Sequence, residues 1–298
     1  MITRFLLAAV LAVTPVIARA QGAAPAPAAK SELREGKRFT VLVEGSGPDV
    51  VLIPGLATPR AVWDGARERL RGRYRLHLVQ VRGFGDDAGR NASGPVLAPL
   101  VKELADYIDD TIVDPGARPP AIVGHSLGGL VGLEIALSHP ELVGRLMVVD
   151  ALPFFGTLMG ADATVAGIEP RAAAMRDAIK ASPKGTAAGA PNMSITPAGQ
   201  AQVAAWGAAA DPAVVAQALY DDLTTDLRPR MGGLTTPTTL LYPISAAVPA
   251  AVADPLYRGA YAAAPHVRTV AVPGSYHFIM NDQATVFMRE LDTFLTAK

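Results

Sequence analysis

Short apolar runs recur along the chain between longer amphipathic or alanine-rich stretches. Six stand out: Val50 to Ile53, Leu76 to Val81, Ala121 to Gly124, Leu146 to Val149, Thr238 to Tyr242 and Val267 to Val272. Runs this short and this continuously apolar read as strands buried on both faces. With helix-length segments between them, they predict an α/β fold: a mostly parallel sheet with helices on both faces. The last segment has the other periodicity. Phe287, Leu291, Phe294 and Leu295 fall at i, i+4, i+7 and i+8, one face of a helix that should lie on the sheet.

The alternation fails in two places. Residues 153–232 contain no strand-like run, many alanines and several Pro and Gly breaks. They predict a mainly helical cap inserted between two halves of a core, 39–152 and 233–298. Near the start, residues 21–38 read as an Ala/Pro-rich linker, and the packed fold is expected to begin near Phe39. Residues 1–20 have the order of a signal peptide: Arg4, then an apolar run from Phe5 to Ile17, then Ala18-Arg19-Ala20 ahead of a cut before Gln21. Thr14 and Pro15 interrupt that run, which is shorter than the roughly 20 residues a membrane span needs. The expectation is therefore an exported protein, periplasmic or secreted, without stable membrane insertion. An uncleaved tether is the alternative.

Composition narrows the function more than the fold. The 298 residues suffice for one sizeable core, and half are apolar with 18% charged, as in globular proteins. Without the first twenty residues the charge is 25 basic against 27 acidic, a net −2. No basic stripe or Lys-rich tail appears, so nucleic acid is not an expected partner and a small-molecule substrate is. The absence of cysteine excludes disulfides, thiolate nucleophiles and Cys-ligated metals. No clustered His and carboxylate spacing calls for a metal, and no cofactor is expected. Oligomeric state is not legible.

The strongest chemical signal is Ala121-Ile-Val-Gly-His-Ser-Leu-Gly-Gly129, a strand pattern that turns at Ser126 and continues as a helix pattern. A serine on a sharp strand-to-helix turn has its hydroxyl lifted clear of the sheet over the positive end of a helix. Side chains two residues before and after would collide there, which explains Gly124 and Gly128.

With this motif in its strand–turn–helix context, the chain resembles the α/β-hydrolase superfamily over residues 39–298. A second point of likeness is Val51-Leu-Ile-Pro-Gly-Leu56, with Pro54 where the family usually has His. A looser one is Val81-Arg-Gly-Phe-Gly85, preceded by Gln80 where many relatives have Asp. The resemblance implies an oxyanion hole made by the backbone N–H groups of Leu56 and Leu127. Main-chain donors of this kind are unaffected by the change to Pro54.

Ser126 needs a base, and five histidines are available. His77 lies in a strand run, His125 adjoins the nucleophile, His139 precedes Pro140 and His266 follows Pro265. His277 follows the last strand-like run and precedes the final helix, where the resembling family presents its base, and the order serine, acid, histidine is also the family's. Two aspartates compete for the third place. Asp150 ends the strand Arg145 to Val149, a position some superfamily members use. The more common position follows Thr238 to Tyr242, but the residue there is Ser245, and the first acid beyond it is Asp254, which also suits capping a helix from Leu256 to Ala263. Direct contact with the imidazole favours Asp150 over Asp254.

These residues imply acyl transfer on Ser126, with a small or medium acyl ester as the expected substrate. Carbon–carbon bond hydrolysis, aminopeptidase action and cofactor-free perhydrolysis would use the same three residues. A non-catalytic binding module is the reading from another class. The large apolar residues of the cap are Phe154, Phe155, Met159, Met175, Met193 and Trp206, none assigned to binding.

Overall fold

In the computed structural model, which describes residues 31–113, 118–160, 162–183, 185 and 193–297, all six apolar runs lie in strands of one sheet. The strands are β1 (Glu32–Glu35), β2 (Phe39–Gly45), β3 (Asp49–Ile53), β4 (Arg75–Val81), β5 (Ala121–His125), β6 (Arg145–Val149), β7 (Thr238–Ile244) and β8 (Val267–Pro273). Their order is β1-β2-β4-β3-β5-β6-β7-β8. β2 runs antiparallel to β1 and β4, and every other pair is parallel.

The central strands lack an apolar/polar alternation because both of their faces are covered. In β3, Val51 and Ile53 enter one core and Val50 and Leu52 the other. Helices α2 (Leu97–Thr111) and α3 (Leu127–Ser138) close the first face, with Leu100, Leu104, Leu130 and Leu133 buried. Helices α1 (Asp64–Leu70) and α9 (Ala284–Thr296) close the second through Leu70, Phe287, Leu291 and Phe294. The indole of Trp63 stacks on Phe287 with ring centres 6.1 Å apart.

The expected start at Phe39 is too late. Glu32–Glu35 already pairs with β2 as an edge strand. Its sequence, ELRE, is nearly all charged and mostly exposed, as suits a sheet edge, and it has no apolar run to announce it. The proposed signal peptide and the first ten linker residues lie outside the described residues.

Between β6 and β7 the described residues form helices and no strand: α4 (Val165–Lys180), α5 (Pro197–Ala209) and α6 (Pro212–Thr224), with shorter 3-10 turns. Each helix has a side-chain cap. Thr164 accepts from the Gly167 N–H, Thr196 from Gly199 and Asp211 from Ala213. Proline at the first positions of α5 and α6 costs no hydrogen bond there. Phe154, Ile168, Ala172 and Leu223 form a small core of the cap's own.

The cap is fastened to the sheet domain along α6. The Asp211 N–H donates to the Gly83 carbonyl at 2.7 Å, and Asp221 Oδ2 accepts from the N–H groups of Val96 (2.7 Å) and Leu97 (3.0 Å). Those donors start α2, which has no capping side chain of its own, so Asp221 caps a core helix from the cap. Past β7, helix α7 covers Ala250–Ala260, starting six residues before the expected Leu256, and the short α8 (Ile279–Asp282) precedes α9.

Candidate active site

Sheet register brings the candidate residues to one edge. Ile53 pairs with Gly124, and His125 with Val149, so β3, β5 and β6 end side by side. The residues that follow, Pro54–Leu56, Ser126 and Asp150, leave the sheet along its carboxyl rim, where ligands of open α/β sheets bind. Ile244 pairs with Pro273, and His277 leaves the same rim four residues later.

The bend at Ser126 is strained. Its φ is 53° and ψ −123°, a conformation costly for a non-glycine residue, held by its N–H donating to the Val149 carbonyl at 2.9 Å and by α3 starting at Leu127. A methyl group at Gly124 would overlap the carbonyl of Gly128, and one at Gly128 would overlap the carbonyl of Ile53. The two glycines thus let β5 meet α3 and let α3 meet the loop after β3. In that loop, a methyl at Gly55 would stand 3.0 Å from Ser126 Cβ and 2.8 Å from His125 Nδ1. The Gly55–Thr58 turn therefore lies against the serine, next to Leu56. Leu127 is the first residue of α3, so its N–H has no carbonyl of its own helix to bond.

His277 Nδ1 lies 2.6 Å from Asp150 Oδ2. The second oxygen of Asp150 accepts from the Tyr257 hydroxyl on α7, so both carboxylate oxygens are engaged. Burial first, and the neighbouring Asp150 second, push the Tyr257 hydroxyl well above its ordinary pKa, so it stays a donor. Asp150 itself has φ 51°, a left-handed conformation that Asp adopts more readily than most residues.

Asp254 does not meet the imidazole. Its Oδ1 accepts from the Tyr242 hydroxyl at 2.6 Å, and it lies inside α7, so it is also not the cap of a later helix. Ser245, at the more common acid position, is used by its own turn: its hydroxyl accepts from the Val248 N–H at 3.0 Å.

The other histidines fall into two kinds. His125 is fully buried against His277, ring centres 4.5 Å apart, with Nε2 3.1 Å from the His277 carbonyl oxygen. Burial, reinforced by His277, holds its pKa well below the ordinary value, so the ring is neutral and Nε2–H donates to that carbonyl. It braces the loop that carries the candidate base. His77 bridges Asp49 (2.8 Å) and Tyr107 (2.7 Å) at the other end of the sheet, and His139 and His266 are exposed. Gln80 ties the loop after β4, donating to the Phe84 carbonyl at 2.7 Å and accepting from the Arg60 N–H.

Ser126, Asp150 and His277 share a cavity of about 80 Å³ beneath the cap. From the cap, Phe155, Leu158 and Asp222 line it. Phe154 instead fills the cap's own core, and Trp206 packs on Phe278. Among the described residues, no cluster of three or more His, Asp or Glu side chains offers a metal site.

Tyr257 and Asp222 are the polar cavity residues that the chain's patterning did not reveal, because each is one ordinary position on a helix.

A family model described as "Alpha/beta hydrolase family" matches residues 50–290. The chain belongs to the alpha/beta hydrolase family. Among curated relatives, the chain is 40% identical over 111 residues to the pimeloyl-[acyl-carrier protein] methyl ester esterase of Aeromonas salmonicida, which is 37% of this chain and 41% of that one. To the enzyme of the same name from Vibrio vulnificus it is 36% identical over 129 residues, 43% of this chain and 45% of the relative. The chain thus spans a little over two fifths of the curated relatives it matches. Among solved structures, a thermophilic esterase from Thermogutta terrifontis superposes with a TM-score of 0.69 at 18% identity, covering 89% of this chain and 98% of that one. That likeness concerns the fold.

Proposed function

We propose that this protein is an exported carboxylic ester hydrolase working by two-step acyl transfer on Ser126. His277 Nε2 takes the serine proton as Oγ attacks the acyl carbon. Asp150 holds the Nδ1–H and stabilises the imidazolium, and the backbone N–H groups of Leu56 and Leu127 receive the oxyanion. The proton then passes to the departing alkoxide, forming the alcohol and an acyl-serine. Water, deprotonated by His277, attacks that ester and releases the carboxylic acid, returning Ser126 to its starting state.

The observation that carries the reading is the 2.6 Å bond from His277 to Asp150 in the cavity that Ser126 also lines. Relatives named as methyl ester esterases support an ester substrate. A cavity of about 80 Å³ favours a small group on at least one side of the ester.

The test is hydrolysis of 4-nitrophenyl esters of increasing acyl length by residues 21–298, with Ser126→Ala as control. Turnover that peaks at short acyl chains and disappears in the control is expected. Equal rates in the two proteins would refute the role of Ser126. For export, the mature protein should begin at Gln21 by N-terminal sequencing; an intact Met1 on the exported chain would contradict cleavage.

A further inference from the structure

Among the ionisable groups lining the cavity, Asp150, Tyr257 and His277 pair with one another, and Asp222 stands apart from them. Asp150 accepts from His277 and Tyr257. Asp222, on the cap helix α6, is 8% exposed, and among the described residues no group donates a hydrogen bond to it or forms an ion pair with it. Its neighbour Asp221 is committed elsewhere, to the start of α2 and to Gln217 at 2.8 Å. Leu130, Leu152, Phe155 and Leu158 make the remaining wall of the cavity apolar. The fastening of α6 through Asp211 and Asp221 fixes where Asp222 stands.

A buried carboxyl without a partner is costly, and the cost disappears when a ligand brings a donor to it. Resting on the hydrolase reading above, we infer that Asp222 is a specificity-determining residue. It selects esters bearing a hydrogen-bond donor, a hydroxyl or an ammonium, a few bonds from the scissile carbonyl, and disfavours plain alkyl esters of the same size. Its surroundings agree with this task. Burial pushes its carboxyl up to about 7, opposed by His277 across the cavity and reinforced by Asp221, so the group can accept from either donor near neutral pH. A site left with an unpaired polar group penalises the analogue that lacks the matching one far more than an apolar pocket penalises an extra methylene.

The experiment compares kcat/KM within isosteric pairs: methyl 3-hydroxybutanoate against methyl 3-methylbutanoate, 2-hydroxyethyl butanoate against propyl butanoate, and methyl 4-aminobutanoate against methyl pentanoate. The pairs separate acyl-side hydroxyl, alcohol-side hydroxyl and ammonium. In the wild type, at least one donor ester should be preferred about 10-fold or more over its partner. Asp222→Leu should bring that preference to within about twofold, and Asp222→Asn, which keeps an acceptor in nearly the same volume, should retain part of it. If Asp222→Leu does not fold, the Asn variant decides: its preference should fall at least about threefold below wild type. A wild type that cleaves the esters with no preference, or a preference that survives substitution, overturns this inference and leaves the hydrolase reading standing. A wild type that cleaves none of them overturns both.

Discussion

The rim of the sheet and the underside of the cap face each other across one cavity, yet they are held in different ways. At the rim, Ser126 and Asp150 follow directly from paired strand ends, and the close packing around the bend leaves no room for a side chain at Gly124 or Gly128. Hydrogen bonds there close on one another: Tyr257 and His277 both donate to Asp150, and His125 donates to the His277 carbonyl. The cap is positioned by a few caps and clamps, and the carboxyl it sends into the cavity has no partner among the described residues. Chemistry that must be the same for every substrate belongs on the rigid rim. Selection, which differs between substrates, belongs on the cap.

Substitutions can break this contrast. The largest effect is expected at the acid. Asp150→Asn should lower kcat by about 10⁴, because the amide no longer enforces the imidazole tautomer. Asp254→Asn should stay within about threefold, since its carboxylate contacts Tyr242 rather than the base. Steady-state kinetics of the two variants checks both.

On the cap side the sign reverses. Asp222 has a folded-state pKa raised from 3.8 to about 7. The folded protein therefore binds more protons than the unfolded chain between those values, and stability falls as pH rises through that window. Asp222→Asn should be more stable than wild type at pH 8, by at most about 4 kcal/mol, and the gain should vanish below about pH 4. Urea denaturation at the two pH values measures this.

Gly124→Ala, back at the rim, forces a methyl into the Gly128 carbonyl and should destabilise by about 3 kcal/mol. Its Tm should drop by several degrees. A smaller loss of stability is expected at Tyr257→Phe, which leaves one Asp150 oxygen without its buried donor. It should lower kcat/KM by about 10-fold and stability by about 1–2 kcal/mol in the same assays.

Legibility in the sequence follows the same division. The strand runs, the Ser126 bend and the candidate base His277 were readable because each is encoded within a few neighbouring residues. β1 was not, because a charged edge strand satisfies its surroundings without an apolar run. The sequence favoured Asp150 while keeping Asp254 as an alternative, because the partner of an imidazole is set by how three loops meet. Ser245 is absorbed by its own turn and Asp254 by Tyr242, which leaves Asp150 as the aspartate that meets His277. Asp222 was hidden for a further reason: which face of α6 looks inward depends on its clamps to Gly83 and to the start of α2, and nothing local marks it.

The most direct measurement is active-site labelling with a fluorophosphonate, read by peptide mass spectrometry. The peptide containing Ser126 should carry one phosphonyl group in the wild type and none in Ser126→Ala, and labelling should slow by at least about 10³-fold in His277→Ala. Modification elsewhere, or a labelling rate at Ser126 indifferent to His277, would contradict the account.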